Sequence, residues 1–111
     1  MKIPKRIKIA GHDVTCKSVH TLSHKTRKWV PKEWGSCWGS SCNQTNEILL
    51  AKSKLGIPLD EAHRASTFLH EILHQIDYKY GLGLGEKRVG KIETALFQVL
   101  RDNHLDFSDR G

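Results

Sequence analysis

His70 and His74 are the two residues of this chain whose type and spacing most directly indicate chemistry. They enclose Glu71, Ile72 and Leu73, which gives the pattern His-Glu-x-x-His. On an α-helix, residues four apart lie on one face about 6 Å from each other, so both imidazoles can reach one small cation. Zn²⁺ accepts neutral imidazole nitrogen at about 2.0–2.1 Å, and its catalytic sites keep one position open for water. The spacing therefore predicts a zinc site at His70 and His74.

Glu71 follows His70 directly and is turned by about 100° around the helix from it. From that direction its carboxylate can take a proton from water that a metal ion has made acidic. This placement predicts that Glu71 is the general base of a hydrolytic reaction and does not bind the metal itself.

A zinc site of this kind needs a third protein ligand, for which the sequence offers four candidates. Glu93 is preferred because it lies beside the apolar positions of a second predicted helix, where an unpaired carboxylate would be costly to bury. Glu86 lies two turns earlier on the same face, where an acid also suits the helix dipole. Asp77 shares the helix of the histidines and better suits a hydrogen bond to an imidazole, or the role of a simple surface acid. His104, after the second helix, comes next.

Two helices are predicted in the second half of the chain. The first spans residues 60–80, with Asp60 as its N-cap and an apolar stripe at Leu69, Leu73 and Ile76. Glycines at 81, 83 and 85 end that helix and form a turn. The second helix runs from about residue 86 to residue 102, with apolar residues again at helical spacing.

The first half of the chain predicts a small sheet. Residues 3–10 and 14–19 alternate apolar and polar positions around turn residues 11–13, which is typical of a β-hairpin. Residues 47–51 form a third candidate strand. The polar segment 20–46 is predicted to be irregular, and residues 52–59 to be a connector with breakers at Gly56 and Pro58.

Length and charge limit the classes of protein that the chain can belong to. With 111 residues it can hold one domain, divided here into a basic sheet half at 1–59 and a helical half at 60–111. The net charge is +6, and residues 1–60 carry 11 basic against 4 acidic side chains. That excess permits nucleic-acid binding, but with no recognised motif a solubilising surface is favoured. The sequence contains no apolar run of about 18 residues, so it predicts no membrane span.

The start of the chain and its cysteines predict a cytoplasmic location, in a bacterial host if a phage encodes the chain. Residues 1–8 alternate charged and apolar positions and contain no apolar region of a secretory signal. Cys16, Cys37 and Cys42 are odd in number, so reduced thiols are favoured over a disulfide framework. Their role beyond this is left open.

The segment around His70 and His74, followed by an acidic residue on the next helix, resembles the gluzincin metallopeptidases. Residues 67–74, 80–82 and 100–103 are similar to small metallopeptidase-like proteins of phages and prophages, distant relatives of the ImmA/IrrE peptidases. The resemblance covers about residues 45–105. It implies a minimal zincin, in which a small antiparallel sheet lies over the active-site helix and substrate extends along the edge of the sheet. The chain has no recognisable helix-turn-helix, so a repressor-cleaving role does not follow.

Together these observations predict an α+β domain that holds Zn²⁺ through His70, His74 and Glu93. The predicted reaction is hydrolysis of a peptide bond in a protein or peptide substrate, with Glu71 as the base. The alternative is a zinc-stabilised binding module for a protein or nucleic-acid partner, with little or no turnover. Neither alternative requires contact with a membrane.

Overall fold

The described part of the chain contains a four-stranded sheet, one long helix packed on it and a second helix packed on the first. It also contains a separate two-stranded antiparallel sheet, at Ser53–Lys54 and Ile57–Pro58, within the segment that was predicted to be a connector. The computed structural model describes residues 3–23, 38–54 and 57–105. Their α+β architecture confirms the predicted fold class. The elements in chain order are β1 (Arg6–Ile9), β2 (His12–Val19), β3 (Gly39–Cys42), β4 (Glu47–Ala51), β5 (Ser53–Lys54), β6 (Ile57–Pro58), α1 (Glu61–Tyr80) and α2 (Gly85–Asp102).

The predicted hairpin is present as β1 and β2, which pair antiparallel. Its turn is one residue earlier than predicted, because Ile9 pairs with His12 and leaves only Ala10 and Gly11 between the strands. Both turn residues have positive φ, 52° and 80°. Two-residue hairpin loops favour that conformation because its twist matches the twist of the strands.

The sheet is mixed, and this corrects the expectation of a wholly antiparallel sheet. The strand order is β1-β2-β4-β3, and the central pair β2 and β4 is parallel. The outer pairs, β1 with β2 and β3 with β4, are antiparallel. The long connection at 20–46 permits the parallel central pair, because parallel neighbours need a crossover where antiparallel neighbours need only a hairpin.

Strand β3 lies inside the segment that was predicted to be irregular. Its sequence, Gly39-Ser40-Ser41-Cys42, carries neither the apolar alternation nor the β-branched residues that reveal a strand. It pairs with β4 and stands at the edge of the sheet. Residues 24–37 of the same segment, Cys37 among them, lie outside the described residues.

Helix α1 forms the middle layer, between the sheet and α2. On the sheet side Phe68 is fully buried against side chains of three strands, namely Ile9, Val14, Cys16, Ile48 and Leu50. On the other side Leu69 and Leu73 pack against Val89 of α2. Apolar burial of this kind is worth about 25 cal/mol per Å², so both packing faces of α1 stabilise the fold.

Each end of α1 has a recognisable cap. The side chain of Asp60 accepts a hydrogen bond from the amide of His63 at 2.7 Å, as the sequence predicts. At the other end Gly81 takes a left-handed conformation and its amide donates to carbonyls of the last turn. The predicted bounds of both helices agree with the structure to within one residue. Neither described helix is long and apolar enough to cross a membrane.

Candidate metal centre

The two histidines of the motif point their Nε2 atoms at one place. His70 and His74 lie one turn apart on α1, and their Nε2 atoms are 3.1 Å apart. The rings meet edge to face, with centroids 4.7 Å apart. Both side chains are partly exposed, at 19% and 25%, so a small ion can reach them from the adjoining cavity. This arrangement agrees with the face predicted from their spacing.

Glu86, the second residue of α2, completes the group. One of its carboxylate oxygens lies 2.8 Å from Nε2 of His70, and the other lies 2.6 Å from Nε2 of His74. In a tetrahedral zinc site with bonds of about 2.0–2.1 Å, the ligand atoms lie about 3.3 Å from one another. The separations between Glu86 and the two imidazoles would need to increase by less than ~1 Å to admit the ion. His70, His74 and Glu86 could therefore hold a metal ion.

Glu93 lies on the other side of the His70 ring. One carboxylate oxygen is 3.4 Å from Nδ1 of His70, and the other accepts a hydrogen bond from the hydroxyl of Ser66 at 2.6 Å. Glu93 therefore faces the nitrogen opposite to the one that meets Glu86 and His74. Glu93, the third ligand preferred from the sequence, thus lies beside the group. Glu86, the second choice, lies within it.

The antiparallel packing of the two helices explains why Glu86, and not Glu93, lies beside both Nε2 atoms. Helix α2 starts next to the end of α1 and runs back along it, so its first turn lies beside His74 and His70. Glu93 comes two turns later and reaches Ser66, one turn before His70. The sequence argument chose the better-buried carboxylate, and Glu93 is indeed only 17% exposed against 73% for Glu86. Position along the helix, and not burial, decides which carboxylate meets both Nε2 atoms.

The two remaining candidates lie away from the Nε2 atoms. Asp77 uses its carboxylate to accept hydrogen bonds from the amides of Leu84 and Gly85, at 2.9 and 3.4 Å. It therefore binds the start of α2, whereas the sequence suggested a hydrogen bond to an imidazole or a simple surface acid. His104 is exposed and follows the far end of α2. An 18-residue helix of about 27 Å separates it from the turn that carries Glu86.

Glu71 lies on the sheet side of the motif, where it is 7% exposed. Its burial raises the pKa of the carboxyl to about 7, against the lowering influence of the His70 charge and of a hydrogen bond with the side chain of Ser41. The nearby Glu86 charge also raises this pKa. A carboxyl whose pKa lies near neutrality can both accept and release protons in that range.

A groove joins these residues along β3. A cavity of about 930 Å³ is lined by His70, Glu71 and His74 of α1 and by Ser40 and Ser41 of β3. A second cavity of about 550 Å³ adjoins it on the side of Trp38 and shares His70, Glu71, Gly39 and Glu86. Gly39, Ser40 and Ser41 of β3, an edge strand among the described residues, form one wall of this groove.

The contribution of β3 to the site, including Ser41 beside Glu71, was not predicted from the sequence. A Gly-Ser-Ser sequence signals neither a strand nor a functional position, and only the pairing with β4 places it over α1. Neither of the two described cysteines belongs to the group of His70. Cys16 and Cys42 are free, and burial raises the pKa of the Cys16 thiol to about 11, which favours an unreactive thiol.

Comparison with known proteins gives no relative for this chain. Searches against protein-family models, curated proteins and solved structures found no match. The resemblance to the gluzincins therefore stays a prediction from the motif.

Proposed function

We propose that this chain is a zinc-dependent peptide hydrolase in which His70, His74 and Glu86 bind the metal and Glu71 is the general base. The observation that carries this proposal is the convergence of two imidazole Nε2 atoms on both oxygens of one carboxylate, beside a buried glutamate. Zinc binding alone does not require Glu71. Its position in the same cavity therefore favours a hydrolase over a passive metal site.

The donor set favours zinc among the common divalent ions. Two imidazole nitrogens and one carboxylate are a frequent set in catalytic zinc sites, whereas Mg²⁺ and Ca²⁺ select oxygen ligands. When bound, zinc would supply a more acidic water and polarise the carbonyl of the substrate.

Glu93 has a supporting role in this proposal, in place of the ligand role predicted from the sequence. Its carboxylate faces Nδ1 of His70, so the Nδ1–H tautomer is favoured and Nε2 is left with a free lone pair. The hydrogen bond from Ser66 fixes the orientation of that carboxylate. Glu93 thereby orients the first imidazole without touching the metal.

Glu71 moves the protons. Its carboxylate lines the groove next to the histidines, where it can take a proton from the attacking water and return it to the leaving amine. Ser41 holds one side of this carboxylate through a side-chain hydrogen bond. The buried position limits competing hydrogen bonds with bulk water.

The edge strand supports a peptide as the substrate. Among the described residues β3 pairs with β4 alone, and its residues Gly39, Ser40 and Ser41 line the groove. An extended peptide can add to such an edge through main-chain hydrogen bonds. This mode of binding places a backbone carbonyl of the peptide along the row of Ser40 and Ser41, next to Glu71.

The alternative is a zinc-stabilised binding module that uses the basic half of the chain. Arg6 and Lys8 are exposed on β1, which is the edge of the sheet opposite β3. A nucleic acid bound there would lie away from the groove. Nothing in that arrangement gives a role to Glu71, which is why the hydrolase is preferred. A cytoplasmic location is kept as part of the proposal, on the sequence argument.

The decisive experiment compares Glu71→Gln with the unmodified zinc-loaded protein on a library of quenched fluorescent peptides. We expect Glu71→Gln to keep one zinc per chain and the melting temperature, and to lose hydrolysis by several orders of magnitude. Glu61→Gln, at an exposed position of the same helix, is the matched control and should cleave normally. A zinc-loaded parent that cleaves no peptide of the library, or no faster than Glu71→Gln, would overturn the hydrolase and favour the binding module.

A further inference from the structure

Glu86 needs an external restraint if it is to meet both histidines. Its side chain is 73% exposed, so packing does not fix its position. It lies in the first turn of α2, and the N-cap residue of that helix, Leu84, makes no side-chain capping bond. Fraying of this turn would move the Glu86 carboxylate away from His70 and His74.

Asp77 supplies the restraint from the preceding helix. One oxygen of its carboxylate accepts from the amide of Leu84 at 2.9 Å, and the other accepts from the amide of Gly85 at 3.4 Å. Its main-chain carbonyl also accepts from the amide of Leu82 at 3.1 Å. One residue of α1 thus holds both the start of the turn and the first amides of α2.

The spacing on α1 connects this restraint to the metal group. Asp77 follows His70 by seven residues and His74 by three, so all three side chains lie on one face of the helix. The face that carries the two imidazoles also carries the carboxylate that binds the start of α2. Glu86 is one residue beyond Gly85, so a fixed backbone at 84–85 determines where its side chain begins.

We infer that Asp77 is a positioning residue that holds the first turn of α2 so that the Glu86 carboxylate meets His70 and His74. This inference rests on the proposed metal site. Asp77 acts through the backbone of Leu84 and Gly85 and does not touch the metal. Its contribution is separate from the general stability that any helix cap provides, since it sets the position of a ligand.

The test measures zinc affinity by competition with a coloured chelator for Asp77→Ala, Asp77→Asn and Asp60→Ala. Asp60 is the matched control, because it caps the start of α1 about 15 Å along the axis from His70. We expect Asp77→Ala to weaken zinc binding by about 10-fold or more, in the range found for residues that orient metal ligands. Asp60→Ala should change the affinity by less than ~2-fold while costing similar stability.

Asp77→Asn separates the hydrogen bond from the charge. Asparagine keeps one acceptor oxygen for the amide of Leu84 but has no negative charge, so its zinc affinity should fall less than that of Asp77→Ala. Equal losses in the two variants would assign the effect to charge and overturn the inference. Asp77→Ala and Asp60→Ala with equal zinc affinities would also overturn it.

Two further controls keep the outcomes distinct. Far-UV circular dichroism of the metal-free proteins identifies a variant that does not fold, and Asp77→Asn then carries the comparison with Asp60→Ala. Failure of the unmodified protein to bind zinc would overturn the proposed function and this inference with it. Tight zinc binding by the parent and by every Asp77 variant would overturn this inference alone.

Discussion

The identity of the third ligand gives the sharpest test of the geometry, because Glu86 and Glu93 lie two helical turns apart on the same face of α2. We expect Glu86→Ala to lose zinc far more than Glu93→Gln. The binding free energy of zinc in small structural sites is about 10–16 kcal/mol, which is ~3 kcal/mol for each of four ligands. Loss of one ligand should therefore raise the Kd on the order of 100-fold. Glutamine at 93 keeps an acceptor toward His70, so that variant should lose about 10-fold or less.

The assay is zinc competition with a coloured chelator at one pH, repeated with Co²⁺ to follow the visible spectrum. Loss of a ligand should change the Co²⁺ spectrum in Glu86→Ala, whereas Glu93→Gln should keep the band shape. Glu61→Ala is the matched control, because it also removes an acid from the first turn of a helix. Its loss of a dipole interaction, about 0.3–1 kcal/mol, should appear in stability and leave the zinc affinity unchanged.

One result would refute the geometric argument. If Glu86→Ala bound zinc as tightly as Glu61→Ala while Glu93→Gln lost the ion and changed the Co²⁺ spectrum, Glu93 would be the ligand. The order preferred from burial in the sequence would then be correct. The separations of 2.8 and 2.6 Å between Glu86 and the two histidines would in that case describe hydrogen bonds alone.

Two further predictions follow from the packing and from the metal group. Chelation of the bound zinc should lower the melting temperature in differential scanning calorimetry, because an ion that binds only the folded state stabilises it; an unchanged melt after verified zinc removal would contradict this. Gly39→Ala should lower the free energy of unfolding, measured in urea, by about 1–3 kcal/mol, because the new Cβ would lie 2.6 Å from Cγ2 of Thr67. The added change Thr67→Ser removes that methyl group and should recover most of the loss. Gly90→Ala, with open space around its Cβ, is the control and should stabilise α2.

The sequence predicted the elements whose signal is local. Helix α1 has an N-cap at Asp60, a regular apolar stripe and a glycine at its end, and each of these is set within a few residues. The hairpin of β1 and β2 was likewise visible from alternation. In the site, His70 and His74 needed only the helical period, so their convergence could be predicted before any tertiary contact was known.

The features that the sequence did not predict depend on long-range packing. Strand β3 has no intrinsic strand signal and exists because β4 offers it a partner and α1 covers it at Gly39, where only a glycine leaves room beside Thr67. The parallel pairing of β2 and β4 is likewise set by a crossover that joins distant residues. Local patterns carry no information about such partners.

The length of the turn between the helices determines which glutamate reaches the histidines. Chain reversal at Gly81–Leu84 places the first turn of α2 beside the last turns of α1, and Leu84 and Val89 then pack toward Leu73. If the turn also included the first seven residues of α2, Glu93 would become the second residue of the shortened helix and would take the place of Glu86. Asp77 accepts hydrogen bonds from the amides at the end of this turn, so on our inference it sets where α2 begins and hence which glutamate lies beside the histidines. In the proposed metal site, the third ligand is thus selected by the geometry of a short turn and not by the polarity or burial of the candidate side chains.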